Sequence, residues 1–137
     1  MIRPILLDTC ALIWMANNDQ LKEEAEAALQ QMAAAPGGVL ASPISAWEVG
    51  QLVAKGRLRL STDPLRWFQA NLNKGLTLAP LSPELLVASS FLPDARLRDP
   101  ADRILAATAR TLDYRLMTRD RPLLRFASEG HMSAIAC

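Results

Sequence analysis

Apolar positions along the chain fall into two kinds of run. Short, mostly apolar stretches at residues 2–7, 39–41, 76–79 and 115–118 are too brief for helices and end at polar turns, which predicts buried strands. The tail, residues 132–136, adds a predicted edge strand, and residues 57–61 a short extended piece. Between them, apolar residues recur at helical spacing. This predicts helices over residues 11–16, 20–35 (through Leu21, Ala25, Ala28, Leu29 and Met32), 43–55, 64–74, 83–91 and 100–112, with a last turn at 121–126. Ser42-Pro43, Ser82-Pro83 and Asp99-Pro100 each join a capping side chain to a proline at the first helical position, while Pro36-Gly37-Gly38 stops the second helix. Strands alternating with helices predict an α/β domain, with a central, mostly parallel sheet of four or five short strands flanked by helices. In such sheets ligands gather at the carboxyl ends of the strands, near a switch in strand order.

Composition narrows this picture. With 137 residues, 50% of them hydrophobic, the chain can build one core, and residues 1–137 are expected to form a single domain. A formal charge of +1 gives no global signature of a nucleic-acid binder, but the charge is unevenly distributed. Arginine outnumbers lysine twelve to three, and eight arginines fall between Arg96 and Arg125. Guanidinium suits bidentate phosphate contact; an Ala/Arg-rich coding bias explains the same excess equally well. Cys10 and Cys137 form no CxxC pair or disulfide framework, which points to a reduced compartment. The start of the chain shows no leader pattern, and no run approaches the roughly 20 apolar residues of a membrane span. The expectation is a soluble cytoplasmic protein.

Against this frame four carboxylates stand out. Asp8 closes the first strand, Glu48 interrupts the ridge Ile44-Glu48-Leu52, Asp102 lies in the first turn of its helix, and Asp120 follows the fourth strand. Each of the three aspartates has a structural explanation, as a helix cap or a complement to the helix dipole. Glu48 is too far along its helix to cap it, and a salt bridge to an arginine is its remaining structural explanation. Together, four acids converging on one crevice repel one another unless a cation is bound, and hard oxygen ligands suit Mg²⁺ or Mn²⁺. The matching chemistry is phosphodiester hydrolysis. The sole histidine, His131, is expected to be structural, and no GxGxxG, GxxxxGK[ST], GxSxG or Cys/His cluster offers another mechanism.

These residues also carry a resemblance. Leu6-Leu7-Asp8-Thr9-Cys10-Ala11-Leu12, Ser42-Pro43-Ile44-Ser45-Ala46-Trp47-Glu48-Val49, Asp99-Pro100-Ala101-Asp102-Arg103-Ile104-Leu105-Ala106-Ala107 and Leu116-Met117-Thr118-Arg119-Asp120 resemble, in order, the motifs of PIN-domain ribonucleases of the VapC toxin type. The resemblance spans residues 5 to 126 and implies a PIN-like fold. It implies that Asp8, Glu48, Asp102 and Asp120 form an acidic Mg²⁺ pocket, both catalytic and metal-binding. Thr9, Ser45 and Thr118 would support it, and Asp99 would mainly cap its helix. It further implies cleavage of RNA by metal-activated water, a homodimer, and neutralisation by a cognate antitoxin protein that occupies the active-site groove. Arg96, Arg98, Arg103 and Arg119 are candidate RNA contacts. The chain departs from the family pattern in having Arg96 and Arg98 in a loop where relatives often place a histidine, Ala101 in place of an aromatic, and Thr108 in place of a glutamine.

Two other readings compete. A non-catalytic PIN-like module would bind RNA or protein with a vestigial pocket, although uncompensated buried acids are costly to retain. A small-molecule phosphohydrolase of the DxD type would need a second aspartate where Cys10 stands. Trp14, Trp67 and Phe68 are candidate interface anchors or core residues.

Overall fold

The computed structural model describes residues 2–137. Five strands form one parallel sheet: β1 (Ile5–Leu7), β2 (Val39–Ala41), β3 (Thr77–Leu78), β4 (Arg115–Thr118) and β5 (Ser133–Ala136), in the order β3-β2-β1-β4-β5. The helices are α1 (Thr9–Ala16), α2 (Glu23–Met32), α3 (Pro43–Ala54), α4 (Pro64–Leu72), α5 (Pro83–Ala88), α6 (Pro100–Leu112) and α7 (Arg121–Ser128), with a 3₁₀ turn at Ser89–Phe91. The predicted α/β architecture is therefore present, and the tail forms the expected edge strand. Residues 57–61 adopt no strand, and the second helix begins three residues later than its apolar spacing suggests, because the chain must first turn away from α1.

β1 is central and its three residues are wholly buried, since both faces are covered by helices. One layer of the core joins Ile5, Leu7, Leu12, Ala25, Met32 and Met117; the other joins Leu6, Leu105, Ala109, Leu116, Leu123 and Phe126. Alternation along β1 explains the split, because Leu6 points to one face and its two neighbours to the other. Gly38 admits the chain into β2 at close quarters: a Cβ there would stand 2.5 Å from the Met32 carbonyl, which only glycine avoids.

The candidate interface anchors belong to this core. Phe68 is buried, and Trp14 and Trp67 pack against the same cluster. The large apolar groups that face solvent are others, among them Trp47, Val87 and Phe91. Both cysteines are free thiols. Among the described residues no helix is long and apolar enough to cross a membrane.

From β1 the chain proceeds outward to β2 and β3 on one side, then returns to place β4 and β5 on the other. The switch point thus lies between β1 and β4, where adjacent strands lead away in opposite directions and leave a crevice at their carboxyl ends.

Candidate active site

Every element at this crevice starts there with a capped helix. Asp8 follows β1 and its Oδ1 accepts from the Ala11 amide at 2.7 Å, capping α1. Asp120 follows β4 and its Oδ2 accepts from the Leu123 amide at 3.1 Å, capping α7. Asp99 caps α6 by accepting from the Asp102 amide at 2.9 Å, and Ser42 caps α3. The structural role foreseen for each acid is therefore real, but it occupies only one oxygen of Asp8 and of Asp120. Helix N-termini also bring positive dipole ends to the place where the acids collect.

Hydroxyl groups tie the rest of the crevice together. Thr118 Oγ1 donates to Asp8 Oδ2 at 2.5 Å and accepts from the Asp120 amide at 3.0 Å. On the other side of Asp8, the Thr9 hydroxyl hydrogen-bonds Ser45 Oγ at 2.9 Å and donates to Glu48 Oε1. Thr9, Ser45 and Thr118 are all buried, so these hydroxyls are fixed by packing as well as by hydrogen bonds. Glu48 has no salt bridge among the described residues; its partner is a hydroxyl. Its ridge neighbours Ile44 and Leu52 are half-buried, and the fully covered residues of α3 are Ser45 and Val49.

Charge accumulates accordingly. Burial raises the Asp102 carboxyl to about 8, with Asp99, Asp120, Glu48 and Asp8 adding to the effect. Asp8 is raised by burial, against the lowering influence of its bonds to Thr118 and Ala11. Glu48 is likewise raised by burial, and Thr9 opposes the shift. Cys10, exposed on the first turn of α1, has its thiol pushed up to about 11 by desolvation and then by the same four acids.

The donor set is chemically right for a hard divalent cation: carboxylate oxygens, with no soft ligand required. Among the described residues no three of these side chains are gathered tightly enough around one point to make a finished cage. Asp8 and Glu48 each accept from a hydroxyl, and Asp120 from the Leu123 amide.

The candidate RNA contacts divide. Arg96 makes a fork to Asp94, Nε to Oδ1 at 3.0 Å and Nη2 to Oδ2 at 2.9 Å, and also reaches Glu129 at 2.5 Å. This pair holds the Asp94 carboxyl down at about 2. Arg103 donates to three backbone carbonyls. Both guanidiniums are thus engaged within the chain, mostly by acceptors a few residues away, and Arg96 remains exposed. Arg119 sits over Trp14, its guanidinium carbon 3.5 Å from the ring centroid, and donates to the Cys137 carbonyl; Arg98 and Arg119 are both exposed. Of the departures from the family pattern, Ala101 and Thr108 are buried on α6, and the Thr108 hydroxyl is satisfied by the Ile104 carbonyl at 2.8 Å. Sequence reasoning did not foresee the Thr9–Ser45–Glu48 chain as one unit; the i, i+3 spacing of Ser45 and Glu48 was its only visible signal.

Known proteins share this fold. Ribonuclease VapC22 of Mycobacterium tuberculosis is 30% identical over 120 residues, covering 87% of this chain and 88% of that protein. VapBC2 from Rickettsia felis, solved bound to a promoter DNA fragment, superposes with a TM-score of 0.69 at 15% identity, over 96% of this chain and 97% of that one. The DNA-bound VapBC of Salmonella typhimurium does so with a TM-score of 0.66 at 16% identity, over 98% of both chains. The model of the PIN domain matches residues 5–129, nearly the whole of the described chain, and with the 30% identical relative it makes this protein a member of the PIN-domain family.

Proposed function

We propose that the chain is a metal-dependent endoribonuclease of the toxin type, cutting RNA phosphodiester bonds at the β1/β4 crevice. The observation that carries this is the placement of Asp8, Glu48, Asp102 and Asp120: four acids from distant segments around one switch-point crevice, with Glu48 met by a hydroxyl rather than a cation. The nuclease relative supports the substrate class.

Mg²⁺ or Mn²⁺ bound among these four residues would supply Lewis acidity for activating water and offsetting phosphate charge. Around that pocket the side chains have separate tasks. Thr118 orients the Asp8 carboxylate and, through its link to the Asp120 amide, sets the spacing of the two acids. Thr9, itself held by Ser45, orients Glu48. Asp99 holds the first turn of α6 and thereby the backbone of Asp102. Arg98 is an exposed cation beside Asp99, suited to holding an RNA phosphate, and Arg119, exposed beside Asp120, would do so from its seat on Trp14.

The same reading covers the partners. A cognate antitoxin would occupy the crevice, as befits a relative of chains solved in VapBC complexes. A homodimer would cover the apolar ridge Pro83, Val87 and Phe91, whose members recur every four residues along α5 and the 3₁₀ turn. Val87 and Phe91 are 61% and 80% exposed, the two most exposed large apolar side chains among the described residues.

The deciding experiment is cleavage of a mixed RNA pool by purified protein with Mg²⁺ or Mn²⁺, with EDTA, and with Asp8→Asn and Asp102→Asn. Loss of cleavage in EDTA and in both variants, with folding intact, is expected. Full activity in both variants would reject the assignment.

A further inference from the structure

Arg103 follows Asp102 on α6, yet among the described residues it makes no ion pair with any acid. Its guanidinium is wrapped by backbone instead. Nε donates to the Ser89 carbonyl at 2.8 Å, and Nη1 donates to the Leu97 carbonyl at 2.5 Å and the Asp94 carbonyl at 3.2 Å. These carbonyls lie on the segment that joins α5 to α6, which has no regular structure between Leu92 and Arg98. Leu97 and Asp94 are nevertheless buried, and Asp94 is gripped in turn by the Arg96 fork. A planar, rigid array of donors suits three carbonyls arriving from different directions; a lysine ammonium on a flexible stem does not reproduce it.

We propose that Arg103 is a positioning residue for the candidate metal pocket. It ties segment 89–97 to α6 immediately beside Asp102, and so sets where the chain turns into the α6 N-terminus. That turn carries Asp99, whose Oδ1 accepts from the Asp102 amide at 2.9 Å, so a displaced segment moves the cap and Asp102 with it. The inference rests on the nuclease reading for its consequence in activity, but not for its structural content.

The test compares wild type with Arg103→Lys and Arg103→Gln by three measurements: Mn²⁺ titration calorimetry, amide hydrogen exchange, and RNA cleavage at several salt concentrations. Groups that orient metal ligands typically cost about tenfold to a hundredfold in metal affinity when removed. Both variants should weaken Mn²⁺ binding within that range, lower kcat with KM for RNA unchanged, and speed amide exchange in residues 89–98. Retained charge in Arg103→Lys should not rescue any of these. A phosphate contact would behave differently: Arg103→Lys would keep wild-type Mn²⁺ affinity, and Arg103→Gln would raise KM and reduce the salt slope by about one phosphate. That outcome overturns the proposal. So does rapid exchange of residues 89–98 in wild type, which needs no variant to fold. Wild type that binds no Mn²⁺ and cuts no RNA sinks the nuclease reading instead, while the exchange arm still decides whether Arg103 holds the segment.

Discussion

Thr118 donates its hydroxyl to Asp8 at 2.5 Å although 110 positions separate the two in the chain. The same oxygen accepts from the Asp120 amide, so one buried threonine joins the two acids that flank the switch point. Thr118→Val keeps the shape and removes the donor. The Asp8 carboxyl should then rise further, because Thr118 is the foremost influence lowering it. Mn²⁺ affinity should fall about tenfold, as read by calorimetry; unchanged affinity would deny Thr118 a part in the pocket.

Thr9, Ser45 and Glu48 should behave as a unit. Ser45→Ala removes one hydrogen bond and Thr9→Val removes two, each worth about 1 kcal/mol in stability. Cleavage rates should fall in both, and the double variant should lose less than the product of the single losses, since Ser45 acts through Thr9. Strict multiplicativity in a double-mutant cycle on kcat would show that the two hydroxyls work independently.

Asp102 sets a pH dependence of stability with a definite sign. Its carboxyl stands at about 8 in the folded chain against an ordinary value of 3.8. Between those two values the folded state binds more protons than the unfolded state, so stability declines as pH rises through this window. Asp8 and Glu48, also raised, act in the same direction. Asp94, held down at about 2, acts oppositely and at lower pH, losing its contribution as acid is added. In EDTA, wild type should therefore be more resistant to urea at pH 5 than at pH 8, and Asp102→Asn should narrow the difference and raise the melting temperature at pH 8. Added Mg²⁺ should restore wild type but not the variant. A melting temperature at pH 8 lower in the variant than in wild type would contradict the repulsion argument.

The exposed ridge on α5 gives a separate prediction. Val87→Asp places a charge on a surface proposed to meet a second copy, where burying it unpaired is costly. Sedimentation should show wild type as dimer and Val87→Asp as monomer, with the melting temperature of the isolated chain little changed. Identical sedimentation of the two would assign the ridge to another partner or to none.

Much of the architecture is legible without coordinates because its signals are local. Ser42-Pro43, Ser82-Pro83 and Asp99-Pro100 cap helices where their side chains and fixed proline φ angles say they should. The runs at Val39–Ala41 and Arg115–Thr118 are strands because both faces of the sheet are covered and apolar residues are needed on each. The choice between interface anchor and core for Trp14, Trp67 and Phe68 is open in the sequence for the converse reason. A tryptophan or phenylalanine on an amphipathic helix reads the same whether its face meets a partner or the core, and only the packing of α4 and α1 buries Phe68 and seats Trp14.

The site divides in the same way. The presence of Asp8, Glu48, Asp102 and Asp120 in unfavourable surroundings is a property of the amino-acid sequence, since burial penalises ionised carboxylates wherever they fall. That β1 and β4 are neighbours, that Thr118 therefore reaches Asp8, and that Arg96 also meets Glu129 are decided by tertiary structure alone. Arginines have the same chemistry beside a phosphate or a carbonyl, and it is the path of the loop before α6 that turns the Ser89, Asp94 and Leu97 carbonyls toward Arg103. The sequence by itself thus determined which groups this protein carries and which helices and strands they begin or end; the strand order determined which of those groups meet.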